Sequence, residues 1–384
     1  MIYLDHNATT PVDPAVVAAM TPVLTQHFAN PSSSHAAGQA AARLVASARA
    51  QVAALAGTTA RSVVFTSGAT EAAHLAIRGA MAAVAPQRRR ILVGATEHWA
   101  VLAAAEAAAA ATGRQVQQVP VRRDGTLDTD RFAQLCGPDV ALVAVMAANN
   151  ETGVVNDVAR IATIAHREGA LLASDLTQAV GRIPVAVDAW QVDLAIWSAH
   201  KLYGPKGVGA LAAPRTLQNR IGALLRGGGQ ERGLRAGTLN TPGIVGFGAA
   251  SKLAGELLDA EAARQSTLVG MLQRLLAERV QLQVNGAGAP RVPNTLNVRF
   301  VGAAADAVQS AAPQVLVSSG SACSTGDHEP SHVLQAMGLP TVAALECLRF
   351  SVGRSTTAEQ VRVAATSVAA AVRRVRELNR RMSA

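Results

Sequence analysis

The sequence of 384 residues has few cysteines, few aromatic residues and no long apolar run. Its three cysteines, Cys136, Cys323 and Cys347, lack the spacing of metal ligands. A low, odd number argues against a disulfide framework and fits a reducing compartment. The N-terminus does not have the pattern of a signal peptide, and no apolar run has membrane-spanning length. The sequence therefore predicts a cytoplasmic protein without a membrane partner.

Acidic residues are outnumbered by basic ones, 26 to 35, and the formal net charge is +9. A basic surface is one signature of a nucleic-acid-binding protein. Aromatic residues make up only 3% of the chain, and the arginine clusters at 88–90 and 373–381 contain none. Because single-stranded nucleic acids are bound largely by stacking on aromatic side chains, we expect solvated faces and no direct nucleic-acid binding. An acidic protein partner stays open.

Strand-like apolar runs alternate with helical segments between about residues 60 and 212. The runs are continuously apolar, which is typical of strands covered on both faces, and they predict a mostly parallel α/β sheet of seven strands flanked by helices. They are 63–65, 91–93, 116–121, 141–146, 171–173, 194–197 and 208–211. After about residue 250 the pattern changes to a long helix at 251–278, short strands near 294–300 and 315–317, and a last helix at about 357–382, which predicts a smaller α+β domain.

Polar residues follow five of these runs, at the edge where a parallel sheet binds its ligands. They are Thr66 to Glu71, Thr96 to His98, Asn149 to Glu151, Asp175 with Gln178, and Ser198 with His200 and Lys201.

The chemistry of these strand-end residues is specific when they are taken together. Lys201 lies between an apolar strand and a Gly/Pro-rich loop, where desolvation lowers an amine's pKa and favours a Schiff base. The helix that opens at 67–70 offers free N–H groups to a phosphate. Asp175 suits a cationic ring nitrogen, and His98 suits stacking on a flat ring or proton transfer. A surface lysine, a helix cap and a buried histidine explain each feature singly, but together they predict a pyridoxal 5'-phosphate (PLP) site.

The chain resembles the cysteine desulfurases of the class V aminotransferase family, on the NifS/IscS side of that family. The matching segments occur in order along almost the whole chain. They are 3–11, 66–71, 97–98, 149–153, 175–178, 198–201, 227–238, 318–323 and 349–351.

The resemblance implies the PLP-dependent transferase fold of type I. It further implies a large PLP-binding domain over residues 16–250. The small domain takes residues 1–15 and 251–384 and carries a catalytic cysteine loop at about 318–330. It also implies a homodimer that acts on L-cysteine and passes sulfur to an acceptor protein for iron–sulfur clusters, a thio-cofactor or tRNA thiolation.

The resemblance assigns catalysis to three residues. Lys201 forms the Schiff base with the cofactor and later carries a proton, and His98 stacks on the ring and helps to move protons. The thiolate of Cys323 attacks the sulfur of the bound substrate and leaves alanine and a persulfide. Cys323 also lies in a stretch of small residues, unlike a structural cysteine walled in by apolar side chains.

The remaining implied roles concern binding of the cofactor and the substrate. The predicted contacts are Asp175 with the pyridine nitrogen, Gln178 with the phenolic oxygen, and Ala69, Thr70, Ser198, His200 and, across a dimer interface, Thr238 with the phosphate. Asn150 lies beside cofactor and substrate, and Arg349 binds the substrate carboxylate. The alternatives are a related PLP lyase, such as one acting on selenocysteine, or a non-catalytic scaffold protein.

Overall fold

The computed structural model describes residues 1–319 and 330–382 of the chain. Its α-helices are α1 (Pro14–Thr25), α2 (Ala36–Leu55), α3 (Ala69–Ala80), α4 (Trp99–Thr112), α5 (Thr129–Leu135), α6 (Val158–Arg167), α7 (Arg215–Gln218), α8 (Thr241–Ala277), α9 (Ala305–Ala311), α10 (His332–Ala336), α11 (Thr341–Ala344) and α12 (Ala358–Met382). Short 3-10 helices occupy Ala199–Lys201 and Gln230–Gly233. The strands are β1 (Ile2–Tyr3), β2 (Val63–Thr66), β3 (Arg90–Gly94), β4 (Gln115–Val119), β5 (Val140–Ala144), β6 (Leu171–Asp175), β7 (Leu194–Ser198), β8 (Gly209–Ala212), β9 (Gln283–Val284), β10 (Thr295–Arg299), β11 (Val315–Leu316) and β12 (Cys347–Ser351).

A seven-stranded sheet with the order β2-β8-β7-β6-β5-β3-β4 forms the centre of the protein. β8 runs antiparallel to both of its neighbours, and the other adjacent strands pair in parallel. All seven strands predicted from the apolar runs are confirmed, with ends that differ by at most two residues. The prediction of a mostly parallel α/β sheet is therefore confirmed.

Helices cover both faces of this sheet, which explains why its strands are apolar throughout. Successive residues of a strand point to opposite faces. In β7, Trp197 belongs to a core shared with α1, α2, α6 and α8, whereas Ile196 belongs to a core shared with α3 and α4. Both residues are almost completely buried. The polar ends of the parallel strands are left at one edge.

A third core lies around a small antiparallel sheet with the order β12-β10-β9. It is covered by α9, α12 and the later half of α8. β1 pairs in parallel with β11, and Asp5 forms a bridge to Ser351 of β12. The N-terminal segment therefore packs on this small sheet. It then continues toward the loop after β7, where the amide N–H of Thr10 donates to the carbonyl of His200.

The long helix α8 begins at Thr241, ten residues before the predicted start at 251. Asn240 caps it by accepting a hydrogen bond from the Gly243 N–H, and Pro242 lies in its first turn, where proline is tolerated. Glycines in the first part of α8 lower its helix propensity, so the sequence did not indicate a helix there. Close packing requires one of these glycines. A Cβ atom on Gly248 would lie 2.6 Å from the Cα of Ala48 in α2.

Among the helices of residues 1–319 and 330–382, none is both long enough and apolar enough to cross a membrane.

Candidate active site

A cavity of about 540 Å³ lies at the carboxyl edge of the parallel strands. The predicted site residues that line it are Ala69, Thr70, His98, Asn150, Asp175, Gln178, Ser198, His200, Lys201 and Arg349. These residues come from segments that lie far apart in the sequence, from Ala69 to Arg349. Thr238 does not line the cavity of this single chain and is exposed. Cys323 lies outside the described residues.

Lys201 lies in the 3-10 helix that follows β7, and the N-terminal segment holds its side chain. The ammonium Nζ donates to the backbone carbonyls of Asn7, at 2.6 Å, and Ala8, at 2.8 Å. The same segment is fixed by Thr10, whose hydroxyl donates to the carbonyl of His200 at 2.9 Å. The sequence motif contained Asn7, but sequence reasoning gave it no role.

One end of the cavity is suited to an anion. Gly68 precedes α3 and supplies no side-chain cap, so the first N–H groups of the helix face the cavity without that competitor. Ser198 is 2% exposed, and its hydroxyl oxygen has no hydrogen-bond partner among the described residues. A buried hydroxyl without a partner is costly. A phosphate at this end would satisfy both groups.

Two histidines at the cavity have lowered pKa values and are therefore neutral at pH 7. Burial lowers the pKa of His200 to about 4, with further lowering by the positive charges of Lys201 and Lys206. Burial also lowers the pKa of His98, although the negative charge of Asp175 opposes this shift. The Nδ1 atom of His98 accepts the N–H of Ala100 at 3.1 Å, which caps α4 and fixes the ring orientation.

Asp175 and Gln178 lie on the segment that leaves β6. Asp175 ends the strand, and its Oδ1 accepts the N–H of Thr177 at 2.8 Å. Gln178 is 4% exposed, and its Nε2 donates to the carbonyl of Asn7 at 3.1 Å. The amide of Gln178 and the amine of Lys201 therefore share one acceptor, the carbonyl of Asn7.

Arg349 projects from β12 of the small sheet into the cavity. Its Nη2 donates to Asp5 Oδ1 at 2.6 Å, and its Nη1 donates to the carbonyl of Asn150 at 3.0 Å. The Nε atom is buried and has no partner among the described residues. Backbone hydrogen bonds join Arg349 to Ser318, five positions before Cys323 in the sequence.

Two buried carboxyl groups near the cavity were not assigned roles from the sequence, although Glu97 and Glu151 lie within the matching motifs. Burial raises the pKa of Glu97 well above its usual range, and its Oε1 accepts the N–H of Met146 at 2.6 Å. Burial raises the pKa of Glu151 to about 7, and its Oε2 accepts the hydroxyl of Ser331 at 2.5 Å. Only the spatial neighbours of these groups reveal their burial, so sequence alone had no signal for it.

A lysine, an aspartate, a neutral histidine and a helix end suited to an anion lie together at this sheet and indicate the class of protein. The chain belongs to the class V aminotransferase family of PLP-dependent enzymes, whose family model, described as "Aminotransferase class-V", matches residues 2–363.

The relatives of this chain narrow the class further. It is 56% identical to a cysteine desulfurase of Frankia sp. (strain EuIK1) over 99% of this chain and 93% of that protein. It is 45% identical to the cysteine desulfurase IscS of Anaeromyxobacter dehalogenans (strain 2CP-C) over 98% of this chain and 94% of that protein. A solved structure of a NifS-like protein is similar with a TM-score of 0.88 and 32% identity, covering 98% of each chain.

Proposed function

We propose that this protein is a PLP-dependent cysteine desulfurase, which converts L-cysteine to L-alanine and transfers the sulfur to its own Cys323. The observation that carries the proposal is the convergence of Lys201, Asp175, His98 and Arg349 on one cavity. Their chemistry covers an amine, a ring-nitrogen partner, a neutral histidine and a carboxylate-binding guanidinium. The similarity to cysteine desulfurases over nearly the whole chain supports the same activity.

The residues of the cavity fit PLP. The unpartnered hydroxyl of Ser198 and the uncapped N-terminus of α3 suit its phosphate, with Thr70, His200 and the backbone of Ala69 beside them. Asp175 suits the pyridine nitrogen, and the Nε2 donor of Gln178 suits the phenolic oxygen. When bound, PLP supplies an electron sink that makes removal of the substrate's α-proton easier.

Lys201 is the amine that holds the cofactor and, when released from it, carries protons at the substrate's carbon atoms. Its two carbonyl acceptors, Asn7 and Ala8, keep the Nζ atom at the cavity wall. His98 is neutral because burial lowers its pKa, so it is able to accept a proton at pH 7.

Arg349 binds the substrate carboxylate. Asp5 and the carbonyl of Asn150 hold two edges of its guanidinium, and its buried Nε lacks a partner among the described residues. A carboxylate that accepts from Nε and a neighbouring Nη would form a charge-assisted pair. Asn150 lies beside the bound substrate in this arrangement.

Cys323 accepts the sulfur. Its thiolate forms an S–S bond with the substrate's sulfur while the substrate's C–S bond breaks, and a proton replaces sulfur on carbon. The sum is cysteine and a thiol giving alanine and a persulfide, so no further oxidant is needed. The other two cysteines are poor candidates, because burial raises the pKa values of Cys136 and Cys347 to about 11 and keeps them as thiols.

The finer parts of the proposal concern assembly and sulfur delivery. We propose a cytoplasmic homodimer in which Thr238 of one chain contacts the phosphate in the other. The large domain takes residues 16–250, and the small domain takes residues 1–15 and 251–384. The persulfide then passes to an acceptor protein of an iron–sulfur, thio-cofactor or tRNA thiolation pathway.

The test compares wild type with Lys201→Ala and Cys323→Ser. Wild type purified with PLP is expected to be yellow and to form alanine and sulfide from L-cysteine with a thiol reductant. Lys201→Ala is expected to lose the lysine-linked absorption and turnover, whereas Cys323→Ser keeps the colour and loses sulfur transfer. Lys252→Ala, at an exposed position of α8, and Cys136→Ser are the matched controls.

Two results would contradict the proposal. A wild-type protein that binds no PLP would remove the cofactor assignment. A Cys323→Ser protein that still transfers sulfur at the wild-type rate would remove the persulfide assignment and leave only the family's cofactor chemistry. Replacing L-cysteine by L-selenocysteine in the same assay separates this activity from that of a selenocysteine lyase.

A further inference from the structure

Arg182 is a buried guanidinium directly behind the wall of the cavity. Its residue is 8% exposed, and among residues 1–319 and 330–382 its hydrogen-bond acceptors are oxygens of Gln178 and Lys201 and not a carboxylate. Its Nη1 donates to the side-chain Oε1 and, at 3.1 Å, to the backbone carbonyl of Gln178, and its Nη2 lies 3.5 Å from the carbonyl of Lys201. Burying a cation without a counter-charge costs stability, so we ask what the contacts of Arg182 contribute to the cavity.

The contact with Gln178 fixes which end of that amide faces the cavity. A guanidinium has only donors, so the Gln178 oxygen must point toward Arg182. The Nε2 end then points the other way, where it donates to the carbonyl of Asn7. The carbonyl of Asn7 is an acceptor only, so it selects the same orientation, and loss of Arg182 would remove one of the two contacts that hold the amide this way.

The orientation of Gln178 matters for the ligand. The phenolic oxygen of PLP accepts hydrogen bonds, so it requires the Nε2 end of the amide. A flipped amide would present a second acceptor to it and exchange attraction for repulsion. We propose that Arg182 is a positioning residue that acts through Gln178, holding its amide as a donor toward the cofactor's phenolic oxygen. This inference rests on the proposed function, because it takes PLP as the ligand of the cavity.

The backbone around Arg182 is shaped for this contact. Gly181 has φ of +76°, a conformation that favours glycine, and a Cβ atom there would lie 3.2 Å from the Cβ of Ala254 in α8. The turn brings Arg182 under the residue four positions earlier, Gln178. The same guanidinium reaches the carbonyl of Lys201, so it supports two residues of the cavity wall at once.

The test is a double-mutant cycle on Arg182→Met and Gln178→Met, read by titration of PLP into apoprotein. Loss of one hydrogen bond to a charged acceptor predicts roughly tenfold or greater weakening of PLP binding by Arg182→Met, with a shifted visible absorption band. In the Gln178→Met background, Arg182→Met is expected to change the dissociation constant by less than about twofold, because residues that act through one another are not additive. Arg182→Lys, which keeps a donor, is expected to restore part of the affinity.

A matched control and a cofactor-free measurement accompany the cycle. Arg299→Gln breaks a partly buried ion pair with Glu346 away from the cavity and is expected to leave PLP affinity unchanged. In apoprotein labelled with ¹⁵N-glutamine, the Gln178 side-chain NH₂ signals, assigned by their absence in Gln178→Met, are expected to shift or broaden in Arg182→Lys.

The outcomes separate this inference from the proposed function. If wild type binds PLP and Arg182→Met weakens binding equally in both backgrounds, or not at all, Arg182 does not act through Gln178 and the inference is wrong. Gln178 side-chain NH₂ signals that are unchanged in Arg182→Lys would overturn the inference as well. A wild-type protein that fails to bind PLP would instead overturn the proposed function.

Discussion

Alanine substitutions at two neighbouring glycines, Gly209 and Gly68, are expected to separate an effect on folding from an effect on cofactor binding. A Cβ atom on Gly209 of β8 would lie 2.6 Å from the carbonyl carbon of Gly68 and 2.9 Å from the carbonyl oxygen of Trp197. Because both contacts are with backbone atoms, the backbone around Gly209 would have to shift to accommodate an alanine there. A Cβ atom on Gly68 itself would meet no atom within 4 Å, although Gly68 lines the cavity. We therefore compare Gly209→Ala with Gly68→Ala.

The two substitutions are expected to change different quantities, the free energy of unfolding and the PLP dissociation constant, to different extents. Gly68 has an extended backbone, with φ of 162° and ψ of 178°, so alanine fits there and the free energy of unfolding of the apoprotein should change by less than about 1 kcal/mol. Its methyl group, however, would occupy space beside the helix end where the phosphate is proposed to bind. Loss of two charge-assisted hydrogen bonds at about 1.5–3 kcal/mol each corresponds to roughly 100-fold or more in the PLP dissociation constant. Gly209→Ala should cost about 1–3 kcal/mol of stability by overpacking.

Both quantities are measured on apoprotein. Urea unfolding followed by circular dichroism gives the stability, and visible absorbance during PLP titration gives the dissociation constant. We expect Gly68→Ala to be stable and binding-deficient, and Gly209→Ala to be deficient in both. If Gly68→Ala binds PLP as tightly as wild type, the phosphate does not lie at the start of α3, and the reasoning about this cavity end fails.

Two further predictions concern stability. Burial, with the positive charges of Arg182 and Arg264, lowers the pKa of His6 from 6.5 to about 4. The unfolded chain therefore binds an extra proton between these pH values, and stability is lost as the pH falls from 6.5 to 4, by about 3 kcal/mol in total. Urea unfolding at several pH values should show a shallower loss of stability in His6→Gln than in wild type, and equal slopes would contradict this. Asp5→Ala leaves the buried guanidinium of Arg349 without its carboxylate and should lower the free energy of unfolding in urea by about 3 kcal/mol. Glu359→Ala, which breaks an exposed pair with Arg362, should lower it by under about 1 kcal/mol. Equal losses would contradict this.

Much of the central sheet could be predicted because its strands are buried on both faces. Continuous apolar runs such as 194–197 have no alternative to the interior, and the polar residues that follow them had to meet at one edge. The positions of Asp175 and Lys201 after two such runs likewise predict that the two side chains lie at the same edge. The short strand β9 and the early part of α8 were missed, because a two-residue strand has no periodicity and glycines such as Gly248 lower helix propensity while permitting close packing.

The electrostatic detail of the site could not be predicted, since it depends on contacts between distant segments. Nothing in the order of residues indicates that Asp5 pairs with Arg349 or that Arg182 lies behind Gln178. The sequence could assign Arg349 to a carboxylate only by resemblance. The structure adds that part of its guanidinium is already occupied, which limits how a substrate approaches it.

The position of the Lys201 amine, which we propose to be catalytic, depends on the small sheet as much as on the large one. The carbonyl of Asn7 accepts from Lys201, while the side chain of the same residue donates to Thr295 Oγ1 at 2.8 Å and accepts from Asn294 Nδ2 at 2.9 Å, both at the start of β10. Its N–H donates to Ser351 Oγ of β12 at 2.9 Å. One residue thus joins the small sheet to the amine at the end of β7. The small sheet also carries Arg349, the residue proposed to bind the substrate carboxylate. Any movement of that sheet relative to the cavity would therefore displace Arg349 and the carbonyl that accepts from Lys201 together. The same short N-terminal segment thus keeps the two groups in register.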